Sequence, residues 1–302
     1  MALLLSGGGG AVTVAVVGAG AVGCTLAVAL VEAGVDVVLC ARSPLDAVTL
    51  TDDDHGTRTH RIPVATDPAE ARPVDHVVLA TKIHQTGSVW PWLHALTGPD
   101  TVIVAAQNGV DHADRVPDAL QNRVAPALVY VNAERTGPGE VRARRTEREL
   151  VLADDPAGRT AAELFSPTWL RVEMVPDLRS AAWRKLLTNV AANPITALTT
   201  RRVEVLREPA VAELALAALR ETAAVGRAEG ADLPDDAAED TLRWLQDLPA
   251  GSTSSMLQDR LAGRPLEADG LTGAVVRLAG RHGIDVPASR MLLALTAAVG
   301  PG

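Results

Sequence analysis

Thr13 and four apolar residues, Val14 to Val17, form a short, largely β-branched run that suits a strand buried on both faces. Gly18-Ala19-Gly20-Ala21-Val22-Gly23 follows, then an apolar helical stretch from Ala21 to Ala33 that Gly34 closes, then a second strand, Val35 to Cys40. Apolar runs at His76 to Ala80 and Thr101 to Ala105 predict two further strands. Beyond residue 124 the segments become shorter. Leu128 to Val131, Gly139 to Ala143, Glu149 to Leu152 and Arg171 to Val175 read as strands with polar turns between them, extending the sheet with antiparallel members. From Asp177 onward Ala, Leu, Arg and Glu recur with helical periodicity. The expected fold class is α/β: a doubly wound sheet over residues 11–176, then an all-helical domain over 177–302, the boundary lying near Pro176. Residues 1–10 read as a disordered leader or an overextended start.

Strand, G-x-G-x-x-G, helix and strand in one short unit predict a Rossmann-type dinucleotide site. Gly18 permits the tight turn, Gly20 lets the backbone approach a pyrophosphate, and Gly23 lets helix pack on strand. Ala19, Ala21 and Val22 complete the turn, and the helix N-terminus offers N–H groups and a positive dipole to the phosphates. An NAD site would carry an acidic residue at the end of the second strand. This chain has Arg42 and Ser43 there, which favours a 2′-phosphate and so NADP(H). Lys82 and Asn108 follow the next two strands and fall on the same sheet edge, although Gln107-Asn108-Gly109 also fits an ordinary turn.

Composition removes several function classes. The formal charge of −9 and the absence of a long basic stretch argue against nucleic acid. No charged residue precedes Glu32, but the basic start of a signal peptide is missing and glycines break the stretch, so neither secretion nor membrane insertion is expected. Cys24 and Cys40 lie in apolar segments as buried thiols, which fits a reducing compartment and a cytoplasmic location. Asp52 to Asp54 with His55 and His60 match no common metal spacing and read as a solvated loop; no metal is expected.

Only two residues of the chain are lysine, Lys82 and Lys185; the other 26 of the 28 basic residues are arginine. Lysine has a pKa that surroundings can move, so it can give up a proton where arginine cannot. Lys185, Asn189 and Asn193 stand at i, i+4 and i+8, along one stripe about 12 Å long. Two amides and an ammonium on one stripe are costly to bury without partners, so the stripe is expected to face a substrate; a solvated face is the plainer alternative. Pro194 is expected to interrupt that helix. Ser255 with Gln258 fits a capping box, at a helix start that could also hold a carboxylate. Glu267 is expected to begin a helix whose apolar face is Leu271, Ala274, Val275 and Leu278. There it either simply favours the helix dipole or serves the site.

In this order, the glycine turn, Arg42, Lys82, Gln107-Asn108-Gly109, Trp183-Arg184-Lys185 with Asn189 and Asn193, Ser254 to Asp259, Glu267 and Arg281-His282-Gly283-Ile284 resemble the ketopantoate reductase (2-dehydropantoate 2-reductase) family, from about Thr13 to about Pro287. The resemblance implies a site in the cleft between a Rossmann domain and a helical domain, and NADPH-dependent reduction of a 2-oxo acid in the pantothenate pathway. It implies Lys185 and Glu267 as catalytic residues, and Asn108, Asn189, Asn193 and Ser255 at the substrate. Gly18, Ala19, Gly20, Ala21, Val22, Gly23, Arg42, Lys82 and Asn108 lie on the cofactor side. Ser252 and Asp111 depart from the family pattern. A paralogous reductase of another small 2-oxo acid and a non-catalytic NADP-binding protein are the competing readings. A homodimer through a helical face around Leu214 to Leu219 stands beside plain core packing there.

Overall fold

A computed structural model of the protein describes residues 12–299. The leader expected at 1–10 lies outside the described residues. The chain divides into two units, one holding residues up to Gln107 and Asp111–Leu178, the other Asn108–Val110 and the residues from Arg179 on.

The first unit opens with β1 (Thr13–Val17), α1 (Ala21–Glu32) and β2 (Asp36–Cys40). It continues through β3 (Val48–Asp52), β4 (Gly56–His60), β5 (Val64–Ala65), β6 (Val74–Leu79), α2 (Trp90–Leu96) and β7 (Thr97–Ala105). It closes with β8 (Val124–Val129), β9 (Asn132–Gly137), β10 (Glu140–Arg144), β11 (Leu150–Ala153), α3 (Pro156–Phe165) and β12 (Val172–Val175). Eight of the strands form one sheet in the order β12-β11-β8-β7-β6-β1-β2-β5. Val14 to Val17 are buried because β1 is central, flanked by β2 and β6 in parallel register. That burial on both faces is why the run shows no alternation. The remaining strands form a second sheet, β4-β3-β10-β9. Helix α1 packs against β1 and β2 and also against β3, β9 and β10, so Gly23 to Leu30 are buried all round. A helix enclosed on both sides carries no charged face, which accounts for the uncharged stretch ahead of Glu32.

The antiparallel extension expected after residue 124 is corrected. Only the β8–β11 junction of the large sheet is antiparallel; β7–β8 and β11–β12 are parallel. The segment at 139–143 belongs to the second sheet instead. Strand β10 alternates buried Val141 and Ala143 with exposed Glu140, Arg142 and Arg144, the pattern of a one-faced sheet, whereas Leu150 to Leu152 of β11 are continuously buried.

The solvated loop expected at Asp52 to His60 is also corrected: it is the β3–β4 hairpin. Asp52 is buried and accepts hydrogen bonds from the Arg58 guanidinium at 2.8 Å and from the backbone N–H groups of Asp54 and His55 at 2.9 and 2.8 Å. Arg58 also donates to Glu32 at the end of α1, at 2.7 Å, as does the Trp169 indole. Burial alone would raise the Asp52 pKa, but Arg58 and the His55 N–H outweigh it and hold the carboxyl at about 2. A folded-state pKa below the unfolded value gives stability that is present above the ordinary carboxylate range and lost as pH falls through about 2. Asp52→Asn is therefore expected to cost about 2 kcal/mol in denaturant unfolding at pH 7, and the difference should vanish toward pH 2. Among the described residues no group of three or more His, Cys, Asp or Glu could hold a metal ion. Cys24 and Cys40 are free, and burial pushes their thiols up to about 11 and about 12.

The second unit is helical: α4 (Leu178–Thr199), α5 (Pro209–Ala228), α6 (Ala237–Asp247), α7 (Ser255–Leu261), α8 (Thr272–His282) and α9 (Pro287–Ala298). Trp183 of α4 is buried against Gly226 of α5, where an added Cβ would meet the indole at 2.9 Å. Lys185 lies about 200° round the helix from Trp183, so seating the indole turns the lysine away from that packing surface. The expected break at Pro194 does not occur; α4 runs on to Thr199. Ile195 and Ala197 are buried beyond the proline, and this packing outweighs the missing donor. Among the described residues no helix is long and apolar enough to cross a membrane.

Candidate active site

The glycine turn is built by packing as well as by conformation. Gly18 has φ +114° and donates its N–H to the Cys40 carbonyl at 3.0 Å, which ties the turn to the end of β2. Arg42 and Ser43 follow that end and are exposed. A Cβ on Gly23 would stand 1.9 Å from the Gly18 carbonyl oxygen, whereas one on Gly20 would meet nothing within 4 Å. The two outer glycines are thus required by the protein's own contacts, and Gly20 faces open space. It caps α1, whose first turn has no acidic residue, so the N–H groups beside Ala21 and Val22 present an unopposed positive end. These features fit the diphosphate of a dinucleotide. Lys82 is half-buried and precedes a 3-10 helix over Ile83–Val89.

The second constellation centres on Lys185. Its ammonium donates to Asn108 Oδ1 at 2.7 Å. Burial lowers its pKa from 10.5 to about 8, while the negative charge of Glu267 pulls the other way. The ammonium is thus a cation with a mobile proton near neutral pH. Asn108 stands in a turn that Gly109 completes at φ +99°. Along α4 the stripe grades inward: Lys185 and Asn189 are half-buried, and Asn193 is buried with its Nδ2 lacking a hydrogen-bond partner among the described residues. An orphaned buried donor is costly, and a bound acceptor would satisfy it.

Two expectations about this neighbourhood are corrected. The cap of α7 is Ser254, which accepts from the Leu257 N–H at 3.0 Å; Ser255 is the first helical residue and is exposed. Thr196 of α4 selects the cap. Its hydroxyl lies 2.7 Å from that of Ser254 and itself donates to the Ala192 carbonyl, so a proton-donating Ser254 links the start of α7 to α4. Glu267 does not begin a helix. It is buried in the segment before α8, which starts five residues later at Thr272, so the helix dipole has no claim on it. Leu271, Ala274, Val275 and Leu278 are buried as expected.

The two departures from the family pattern have partners of their own. Asp111 pairs with Arg115, and the Ser252 hydroxyl donates to the Pro249 carbonyl at 2.7 Å. A groove of about 310 Å³ lined by Leu187, Thr188, Thr241 and Trp244 lies on the face of α4 away from the Lys185 stripe and takes no part in this arrangement. Reading the sequence missed the Ser254 cap and the Thr196 hydroxyl that meets it, since the two lie 58 positions apart.

Known proteins resemble the chain over both of its halves. The family model described as ketopantoate reductase PanE/ApbA matches residues 14–156, and that of the ketopantoate reductase PanE/ApbA C terminal matches 177–300. The chain is 38% identical to the 2-dehydropantoate 2-reductase of Caulobacter vibrioides, across 94% of this chain and 97% of that one. It is 40% identical to the 2-dehydropantoate 2-reductase of Mycobacterium tuberculosis, across 96% and 99%. A solved structure of the dimeric ketopantoate reductase from Staphylococcus aureus superposes with a TM-score of 0.85 at 26% identity, covering 95% of this chain and 98% of that one. With both halves matched in order, the chain belongs to the ketopantoate reductase family, and it is an oxidoreductase of a kind that works with a nicotinamide cofactor.

Proposed function

We propose that this protein is an NADPH-dependent 2-dehydropantoate 2-reductase of pantothenate biosynthesis, forming pantoate from ketopantoate. The observation that carries the reading is the Lys185 ammonium, held by Asn108 Oδ1 at 2.7 Å and acted on by the charge of Glu267. NADPH, when bound, supplies the hydride to C2 of the 2-oxo acid. Lys185 donates the proton that the developing alkoxide needs, and its charge stabilises that oxygen beforehand. Glu267 accepts a hydrogen bond from the substrate's terminal hydroxyl. Asn108 and Ser255 orient the carboxylate, and Asn189 and Asn193 supply amides along α4, the orphaned Asn193 Nδ2 among them. Gly18 to Gly23 receive the diphosphate. Arg42, exposed after β2, meets the 2′-phosphate, and Lys82 stands on the cofactor side. The known dimer of the Staphylococcus aureus relative supports a homodimer here as well.

NADPH oxidation at 340 nm tests the reading, with ketopantoate beside 2-oxoisovalerate and other 2-oxo acids. Turnover should be strongest with ketopantoate and should favour NADPH over NADH. Arg42→Ala should raise KM for NADPH about tenfold or more and leave NADH nearly unchanged, because only the former loses a charge-assisted contact. Preference for another acid would move the substrate, and tight NADPH binding without turnover would overturn the enzymatic reading.

A further inference from the structure

Thr196 stands three residues past Asn193 on α4, so the two side chains leave the helix within about 60° of one another and about 4.5 Å apart along its axis. Pro194 lies between them. It has no N–H to give, so the Val190 carbonyl loses its helical donor and α4 is one bond short beside Asn193. Thr196 and Ser254 are both buried, and their hydroxyls meet at 2.7 Å. The two ends of this contact fix its direction. The Leu257 N–H can only donate, and it gives to Ser254 Oγ at 3.0 Å. The Ala192 carbonyl can only accept, and it takes the Thr196 proton at 2.7 Å. Ser254 therefore gives its one proton to Thr196 Oγ1. Every group in this chain of bonds belongs to the helical unit.

We propose that Thr196 is a positioning residue for the substrate: its hydroxyl pins the start of α7 to α4 and so fixes the spacing between Ser255, the first residue of α7, and the buried Asn193 amide. The role rests on the proposed reading of Ser255 and Asn193 as substrate contacts. A threonine suits the task because its hydroxyl reaches back to the carbonyl four residues earlier while still accepting from Ser254. A valine would keep the shape and leave the Ser254 proton buried without its acceptor. When the pin is lost, Ser254 can still cap α7, but nothing in that chain of bonds ties the cap to α4. The two polar contacts then fall out of step, and substrate and transition state lose binding alike. Lys185 lies about 16 Å back along the helix axis, so its proton is untouched.

The test is steady-state NADPH oxidation with ketopantoate varied at saturating NADPH. Thr196→Val should raise KM for ketopantoate about tenfold while kcat changes by less than about threefold. The Kd for NADPH and the alkaline midpoint of kcat/KM should stay where they are. Thr196→Ser restores the hydroxyl and should bring KM back. Glycine is tolerated at a helix N-cap, so Ser254→Gly removes the link at little cost to α7. It should raise KM in the same way, and it serves if Thr196→Val melts early. The double variant should have a KM no higher than Ser254→Gly alone, because both changes break one link. An unchanged KM in the variants that fold would overturn the pin, as would additive effects in the double variant. So would a lower kcat at constant KM, which reports only a smaller folded fraction. Absence of ketopantoate turnover in the unmutated enzyme is a separate failure, of the substrate reading. The 2-oxo acid that the enzyme does reduce then takes its place, and KM still decides the pin; if none is reduced, the pin falls with the site.

Discussion

Lys185→Ala is expected to lower kcat by about 10²-fold to 10⁴-fold, the range for loss of a positioned general acid, with little change in the Kd for NADPH. The asymmetry follows from where the group acts. On the proposed reading the ammonium meets charge that develops at the carbonyl oxygen during hydride transfer, so its removal is felt in the transition state more than in the cofactor complex. The pH profile of the unmutated enzyme should report the same group. Burial brings Lys185 from 10.5 to about 8, so the proton-bearing form is present below about pH 8 and is lost above it. The kcat/KM should therefore fall on the alkaline side, about tenfold per pH unit well above that midpoint. Lys185→Arg should not restore it, because a guanidinium keeps its charge but does not release its proton. Stopped-flow NADPH oxidation and fluorescence titration of NADPH separate the two quantities. Equal losses in kcat and NADPH affinity would remove Lys185 from the chemistry.

The second large effect is expected at Gly23. In Gly23→Ala the new methyl would stand 1.9 Å from the Gly18 carbonyl oxygen and 3.3 Å from the Ala80 Cβ. Gly18 has nowhere to retreat, since a Cβ placed on it would lie 2.9 Å from the Ala80 carbonyl carbon and the Thr81 nitrogen. Either α1 lifts from the sheet or the turn opens. A cost of about 3 kcal/mol and a lowered Tm are expected, together with loss of NADPH binding. Gly20→Ala is the informative partner. An added Cβ there meets no protein atom within 4 Å, and φ −86° is open to any residue. Its Tm should be unchanged while NADPH affinity falls about tenfold or more, because the methyl occupies space that the phosphates need. If Gly20→Ala binds NADPH normally, the diphosphate does not pass over that residue.

Much of this protein is legible along the chain because its signals are local. The uninterrupted apolar runs of β1 and β11, the glycine spacing of the turn and the 3.6-residue period of the last third each report an environment that neighbours in sequence share. The stripe of Lys185, Asn189 and Asn193 was legible for the same reason, since helix geometry alone aligns those positions. Local signals failed where two plausible partners compete. Ser254 and Ser255 both precede a helix, and only the Thr196 hydroxyl on α4 decides which of them caps it. Asp52 to His60 looks solvated until Arg58 is seen bridging Asp52 to Glu32, and Pro194 looks like a break until the buried residues beyond it are counted against one lost bond.

The sequence by itself thus determined the class of fold, the place of the glycine turn, and the identity of an unusual lysine among arginines. Tertiary structure alone decided that Asn108 accepts from that lysine, that Glu267 is buried ahead of its helix within reach of the same charge, and that Thr196 meets Ser254. The physical reason is range. Backbone conformation and apolar periodicity are set within a few residues, whereas a buried hydrogen bond or a shifted pKa depends on groups dozens of positions apart, whose meeting is fixed only when the core closes.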